Sequence, residues 1–226
     1  HTSRMQALLD LDEFLILDKI LPEVTRGKGI PQPPDIHAEG DVWRHTLLAM
    51  EALPAQPSER LVWATLLHDI GKPPTLTHPI GANDRIRFSR HYAVGAEMAL
   101  GLLRRFNFSK KMTADICWMI EHHINIDDVP HMRAGHKRAM LDHPAFEDLL
   151  ALHRADAMAT WPPSGPHTKP VVFPELDALW HQHRTITSKS PRPNLKRDIG
   201  IDGHWLRQMF PDQLEQLDSA HIGKIL

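Results

Sequence analysis

The chain has 226 residues, 42% of them hydrophobic and 24% charged. That make-up excludes a mainly disordered chain and suffices to bury a core without disulfides or a structural metal. The net charge of −2 with neutral histidines argues against a nucleic-acid or membrane polyelectrolyte, while leaving room for a local basic patch. Cys117 is the single cysteine, so no intramolecular disulfide forms, which fits a reducing, cytoplasmic setting. No apolar run approaches the ~20 residues of a membrane span, and the N-terminus has no signal-peptide pattern. His1-Thr2-Ser3-Arg4 ahead of Met5 reads as an appended cloning remnant and is set aside.

Alternating strand patterns are nearly absent, and helical spacing recurs along the chain. It predicts an all-α fold, a helical bundle with a small helical C-terminal extension. Helices are expected near residues 5–20, 41–53, 58–70, 91–106, 110–124, 133–141, 144–160, 173–188 and 202–226, the last broken at Pro211. Prolines punctuate this series. Pro31, Pro33 and Pro34 close the first segment, Pro54 and Pro57 separate two helices, and Pro73-Pro74 is expected to stop a helix after Gly71-Lys72. Residues 5–34 form an N-terminal arm and 35–160 the core domain. Residues 161–226 begin with a proline-rich crossing, include a second loop at 189–200 with Lys196 and Arg197, and end in the helical extension.

Seventeen histidines stand out, because imidazole is both a metal ligand and a general acid or base. In the 41–53 helix, His45 shares an apolar stripe with Val42, Leu48, Ala49 and Ala52. The 58–70 helix is apolar nearly all round, hence central, and ends in His68-Asp69. In 144–160, Phe146, Leu149, Leu150, His153, Asp156 and Ala157 lie on one stripe. A carboxylate on a buried face is costly unless it is paired or metal-bound. Two such aspartates and two such histidines on three helices are all satisfied by one divalent cation. The donor set suits Mn, Fe, Co, Ni, Zn or Mg. The competing reading gives each residue its own hydrogen-bond partner in the core.

His45, then Leu67-His68-Asp69-Ile70-Gly71-Lys72-Pro73, then His153-Arg154-Ala155-Asp156 resemble the H…HD…D signature of the HD superfamily of metal-dependent phosphohydrolases. Pro31-Gln32-Pro33-Pro34, the run from Glu39 to Leu48, Ile86-Arg87-Phe88 and Val94-Gly95-Ala96-Glu97-Met98 are similar to the HD half of bacterial tRNA nucleotidyltransferases and poly(A) polymerases. This resemblance spans about residues 5–160 and, weakly, Gly203-His204-Trp205-Leu206. The nucleotidyltransferase head of those enzymes carries a Gly-Ser followed by an Asp-x-Asp pair, and this chain has no such combination. The expectation is therefore a stand-alone HD protein or a fragment, not a nucleotide-adding enzyme.

The resemblance implies His45, His68, Asp69 and Asp156 as metal ligands, with Asp69 also orienting the nucleophile. Dinuclear members add two histidines. His91 occupies a place similar to one of them. His123, on the stripe of Met112, Ile116, Met119 and Ile120, is preferred as the other over His122, which falls beside Asp115 and Trp118. One ion or two remain open; if not ligating, His91 or His123 would donate a proton to the leaving oxygen. Lys72, Arg87 and Arg154 are candidate substrate-binding residues, and Arg85, Arg87 and Arg90 with Phe88 between them form a candidate rim for phosphate and base. Each has a plainer reading: Lys72 as a solvated helix-end lysine, Arg154 as a member of a surface ion pair, which is preferred, and the arginine run as an exposed loop; Lys110-Lys111 and Lys196-Arg197 read as solvated. His131, His136, His143, His167, His181, His183 and His204 share no stripe, and Trp161 and Trp180 read as packing residues.

The implied function is hydrolysis of phosphomonoesters or cyclic phosphodiesters on nucleotides or RNA ends, with tRNA a candidate partner, no membrane partner, and oligomerisation open. Two rivals stand beside it: a non-catalytic tRNA- or partner-binding module, and a di-iron oxygenase on the same six-ligand site.

Overall fold

The computed structural model describes residues 3–81 and 84–189. The described residues are all-α, apart from one minimal ribbon. The helices are α1 (Arg4–Glu13), α2 (Leu17–Ile20), α3 (Pro22–Thr25), α4 (Val42–Ala52), α5 (Glu59–Leu67), α6 (Lys72–Thr75), α7 (His91–Arg105), α8 (Lys110–His122), α9 (Ala134–Leu141), α10 (Phe146–Ala159) and α11 (Pro174–Lys189). A 3-10 helix covers Ile126–His131, and β1 (Leu76–Thr77) pairs antiparallel with β2 (Arg87–Phe88) in the register Leu76–Phe88, Thr77–Arg87. The chain divides into two compact units, residues 1–176 and 177–226. In the second, Trp180 stacks on His183 and lies under the Arg184 guanidinium. Of the expected loop at 189–200 only Lys189 is described, as the last residue of α11; the rest of it, the expected helix at 202–226 and the segment Gly203–Leu206 lie outside the described residues.

Helix starts follow from side-chain capping. Ser3, Asp41, Ser58 and Ser109 each accept a hydrogen bond from the backbone N–H three residues on, a device worth about 1 kcal/mol per helix. Ser3 and Arg4, set aside above as a remnant, take part in the fold: Arg4 also donates to the carbonyls of Leu53 and Pro54. The expected 5–20 helix is broken instead at Leu15. Its φ of 57° and the Ile16 N–H bonded to Leu11 O terminate α1, a left-handed ending that apolar periodicity does not reveal. Pro73 and Pro74 open α6 instead of ending a helix, because the first turn has no N–H to lose.

Helices α4, α5, α8 and α10 enclose the core, with Leu61, Leu67, Ile116, Met119, Phe146 and Leu149 fully buried. Arg60 ties three of them together, donating to Asp115 on α8, to Asp148 on α10 and to Pro144 O. The 26–41 segment is laced to the start of α4 by Val42 N–Ile30 O, Trp43 N–Gly27 O and Gly29 N–Asp41 Oδ2. It is joined to the end of α10 by Ala38 N–Trp161 O and Trp161 N–Glu39 Oε2. The α5–α6 turn lies hard against α7. A Cβ on Gly71 would sit 2.0 Å from His91 O and 2.6 Å from Gly95 N, so only glycine lets the backbone carrying Asp69 approach the backbone carrying His91.

A candidate metal centre

His45 projects from α4, His68 and Asp69 from the turn after α5, His91 from the first residue of α7, His123 from the residue after α8, and Asp156 from α10. The structure brings all six together. His45, His68, Asp69 and His123 are at most 2% exposed. His45 Nε2 lies 2.9 Å from Asp156 Oδ1 and 3.4 Å from His68 Nε2, and Asp69 Oδ2 is 3.3 Å from His68 Nε2. On the other side of the same carboxylate, Asp69 Oδ1 is 3.6 Å from His91 Nε2 and 3.9 Å from His123 Nε2, which are themselves 3.3 Å apart. The result is two donor groups joined by the two oxygens of Asp69.

The tautomers follow from the outer contacts. His68, His91 and His123 each place Nδ1 within 2.9 Å of a backbone carbonyl, of Thr65, Phe88 and Ile120 respectively. A carbonyl only accepts, so each Nδ1 carries the hydrogen and each Nε2 presents a lone pair inward. His45 Nδ1 likewise donates to Glu39 Oε1 at 2.9 Å. Two pairs of facing nitrogen lone pairs, at 3.3 and 3.4 Å, repel unless a proton or a cation lies between them. Neither oxygen of the buried Asp69 has a hydrogen bond of acceptable direction, although Lys72 Nζ lies 2.7 Å from Oδ2 as an ion pair. Buried polar groups left without hydrogen-bond partners are rare and call for a reason. Donor atoms about 2.1 Å from one ion stand roughly 3.0–3.5 Å apart; the spacings here run from 2.9 to 3.9 Å, so a cation would draw the wider pairs together by a few tenths of an ångström. The residues present fit one cation in each group.

Electrostatics agree. Burial opposes charge on His45, but Asp156 and Glu39 outweigh it and raise its pKa to about 9. A proton therefore occupies His45 where a cation would otherwise stand. Burial pushes His123 down to about 3, helped by His68, and also lowers His91, leaving both imidazoles neutral. Asp69 and Asp156 stay ionised: burial would raise both, but His68 and Lys72 hold Asp69 down, and His45 holds Asp156 down.

Three residues around the cluster escaped the sequence reading. Glu39, its side chain fully buried, accepts from His45, from His37 Nδ1 at 2.7 Å and from Trp161 N. Burial would raise its carboxyl, yet the His37 and His45 bonds bring it down to about 2. Gln32 Oε1 accepts from Lys72 Nζ at 2.7 Å, while its buried Nε2 has no partner. Glu39, His37 and Gln32 lie on loops without periodicity; the only signal was that Gln32 and Glu39 belong to the quoted motif stretches, with His37 between them.

Lys72 is buried between Asp69 and Gln32, with its ammonium 5.6 Å from the Phe88 ring. It faces a cavity of about 500 Å³ that also holds Arg85, Arg87, Phe88, His37 and Asp156 on its walls. Arg87 is half exposed and paired with Asp84. Arg154 does not share this position: it is exposed on α10 and absent from the cavity wall, because the period that turns His153 and Asp156 inward turns it out. Arg90 also stays off the wall, holding a left-handed conformation (φ 59°) ahead of α7. His122 stacks on Trp118, away from the cluster, and Trp118 stacks in turn on His143. A groove of about 560 Å³ between α7 and α8 is almost wholly apolar and contains none of the six residues. No helix among the described residues is long and apolar enough to cross a membrane.

The HD domain family matches residues 41–161 of the chain. The chain is 33% identical over 165 residues to an A-adding tRNA nucleotidyltransferase of Deinococcus radiodurans, a match covering 70% of this chain and 36% of that protein. It is 32% identical over 155 residues to a CC-adding tRNA nucleotidyltransferase of Thermus thermophilus, covering 66% and 34%. It is 27% identical over 208 residues to a multifunctional CCA protein of Nitrosococcus oceani, covering 87% and 48%. The chain thus spans about a third to a half of the length of these relatives. Its HD-containing region is homologous to theirs, and the HD family match over residues 41–161 includes all six residues of the cluster. The chain belongs to the HD domain family.

Proposed function

We propose that the chain is a metal-dependent phosphohydrolase that binds two divalent cations, one at His45, His68, Asp69 and Asp156 and one at Asp69, His91 and His123. The observation that carries this reading is the buried Asp69 carboxylate, without directed hydrogen bonds and set between four inward-facing imidazole nitrogens. Bound divalent cations would polarise a phosphoryl oxygen and lower the pKa of water, the chemistry needed for phosphate ester hydrolysis near neutral pH.

The chain's own residues do the positioning. The carbonyls of Thr65, Phe88 and Ile120 fix the three outer imidazoles, and Glu39 fixes His45. Such outer partners hold ligand orientation and basicity. Lys72, tethered by Gln32 and Asp69, presents its ammonium to a phosphate oxygen in the cavity. Arg85 and Arg87 raise the local concentration of anionic substrate. The tRNA-related names of the relatives support RNA ends or nucleotides as the substrate class, and the hydrolytic reading of the cluster makes phosphomonoesters and cyclic phosphodiesters the bonds cleaved.

The test is ring opening of 2′,3′-cyclic nucleotides to nucleoside monophosphates, and phosphate release from nucleoside monophosphates, by chelator-stripped protein reloaded with Mn²⁺, Co²⁺, Ni²⁺ or Mg²⁺. The expected result is turnover that requires metal and is lost in Asp69→Asn. Metal-loaded protein that hydrolyses neither class, yet binds RNA equally well with and without Asp69, would overturn it in favour of a binding module.

A further inference from the structure

Beside the basic cavity lies a second one of about 480 Å³, and the two meet at Ile36, Asp156 and Thr160. Its chemistry differs. No lysine or arginine lines it; its polar wall carries Asp35 and Asp127, and its apolar wall is made by Ile36, Val171 and Phe173. Phe173 is held in place by the ring of His153, 4.1 Å away between centroids, and His153 is fixed in turn by Asp127 at 2.8 Å. Ile36 is 42% exposed, a large apolar side chain left at the junction of the cavities.

The Asp35 and Asp127 carboxylates, both solvent-exposed, disfavour a phosphate in such a place by like-charge repulsion. An uncharged flat ring that donates hydrogen bonds is favoured, because it covers Phe173 and Ile36 and satisfies the carboxylates. The volume is sufficient for a nucleoside-sized group. We propose that this second cavity is a nucleobase subsite, which takes the base of a nucleotide whose phosphate lies at the metal cluster and prefers bases carrying an exocyclic amine. The placement of the phosphate rests on the hydrolase reading; the base preference does not.

Binding separates the two. Calorimetric titration of the Mn²⁺-loaded full chain with adenosine monophosphate and with ribose 5-phosphate compares the same phosphate with and without a base. Stacking on an aromatic ring contributes about 1–3 kcal/mol per base. The wild type is therefore expected to bind adenosine monophosphate about 5- to 150-fold tighter than ribose 5-phosphate. Phe173→Ala should shrink that preference and leave ribose 5-phosphate affinity unchanged, and Ile36→Ala, at an exposed position that does not threaten folding, should also shrink it. Asp127→Asn should weaken adenosine monophosphate more than uridine monophosphate. Equal affinity of the two phosphates in the wild type, or a base preference that survives both apolar substitutions, overturns the proposal. Turnover without base preference refutes the subsite and leaves the hydrolase; base preference without turnover refutes the hydrolase and leaves the subsite. Absence of binding by either phosphate refutes both.

Discussion

Replacing Glu39 by Gln changes one atom and two charge relationships. The carboxylate accepts from His45, His37 and the Trp161 amide with its side chain fully buried. An amide in its place keeps one oxygen and turns an NH₂ toward groups that already donate. The folded-state pKa of Glu39 is about 2 against 4.5 for the free group. At ~1.4 kcal/mol per pH unit this corresponds to about 3 kcal/mol of stability near neutrality. A depressed carboxylate pKa gives stability that is fully present above 4.5 and lost as pH falls from 4.5 towards 2. Urea unfolding of the chelator-treated protein should therefore show Glu39→Gln about 2–3 kcal/mol less stable than wild type at pH 7, with the gap narrowing at pH 3–4. Because His45 loses its orienting partner, Mn²⁺ affinity should also fall, by about 10–100-fold. A variant within 0.5 kcal/mol of wild type at pH 7, with unchanged Mn²⁺ affinity, would refute the reasoning that Glu39 fixes the cluster.

Gly71→Ala should destabilise the fold by about 2–3 kcal/mol, as an overpacked contact does, because the new methyl meets the backbone of His91 and Gly95. It should also weaken cation binding at Asp69, His91 and His123, which metal titration would register. Gln32→Leu removes an unpartnered buried amide together with the Lys72 tether. Thermal stability should change little while KM for a phosphate ester rises several-fold, and an unchanged KM would show that Lys72 needs no such support. Arg60→Met breaks a partly exposed link between α5, α8 and α10. A loss of about 1–2 kcal/mol is expected, with a melting temperature lowered by about 2–8 °C.

Much of this architecture could be read from the sequence because it rests on periodic burial. His45, His123 and Asp156 fall on helical stripes of apolar residues, so their inward direction is set by the 3.6-residue turn. The His91–Asp69 relationship has no periodic signature. It depends on a backbone contact that only Gly71 permits, and it entered through family resemblance. The α1–α2 break at Leu15 went unseen because a left-handed leucine leaves no compositional trace. The two-residue strands were too short to show alternation. Glu39, Gln32 and the second cavity arise from loops folded against distant helices, and local pattern carries no information about such pairings. Arg154 shows how helix phase decides between two readings: two residues from Asp156 it points to a different face, which agrees with its reading as a surface charge.

The central claim is a pair of cation sites sharing Asp69, and metal stoichiometry tests it most directly. Protein purified without a nickel column, stripped with chelator, reloaded with Mn²⁺ and desalted would be analysed by plasma mass spectrometry. The account predicts about two equivalents per chain, about one in His91→Ala, which spares the His45, His68 and Asp156 group, and a marked loss in Asp69→Asn. Wild-type protein that retains no metal after loading would contradict it.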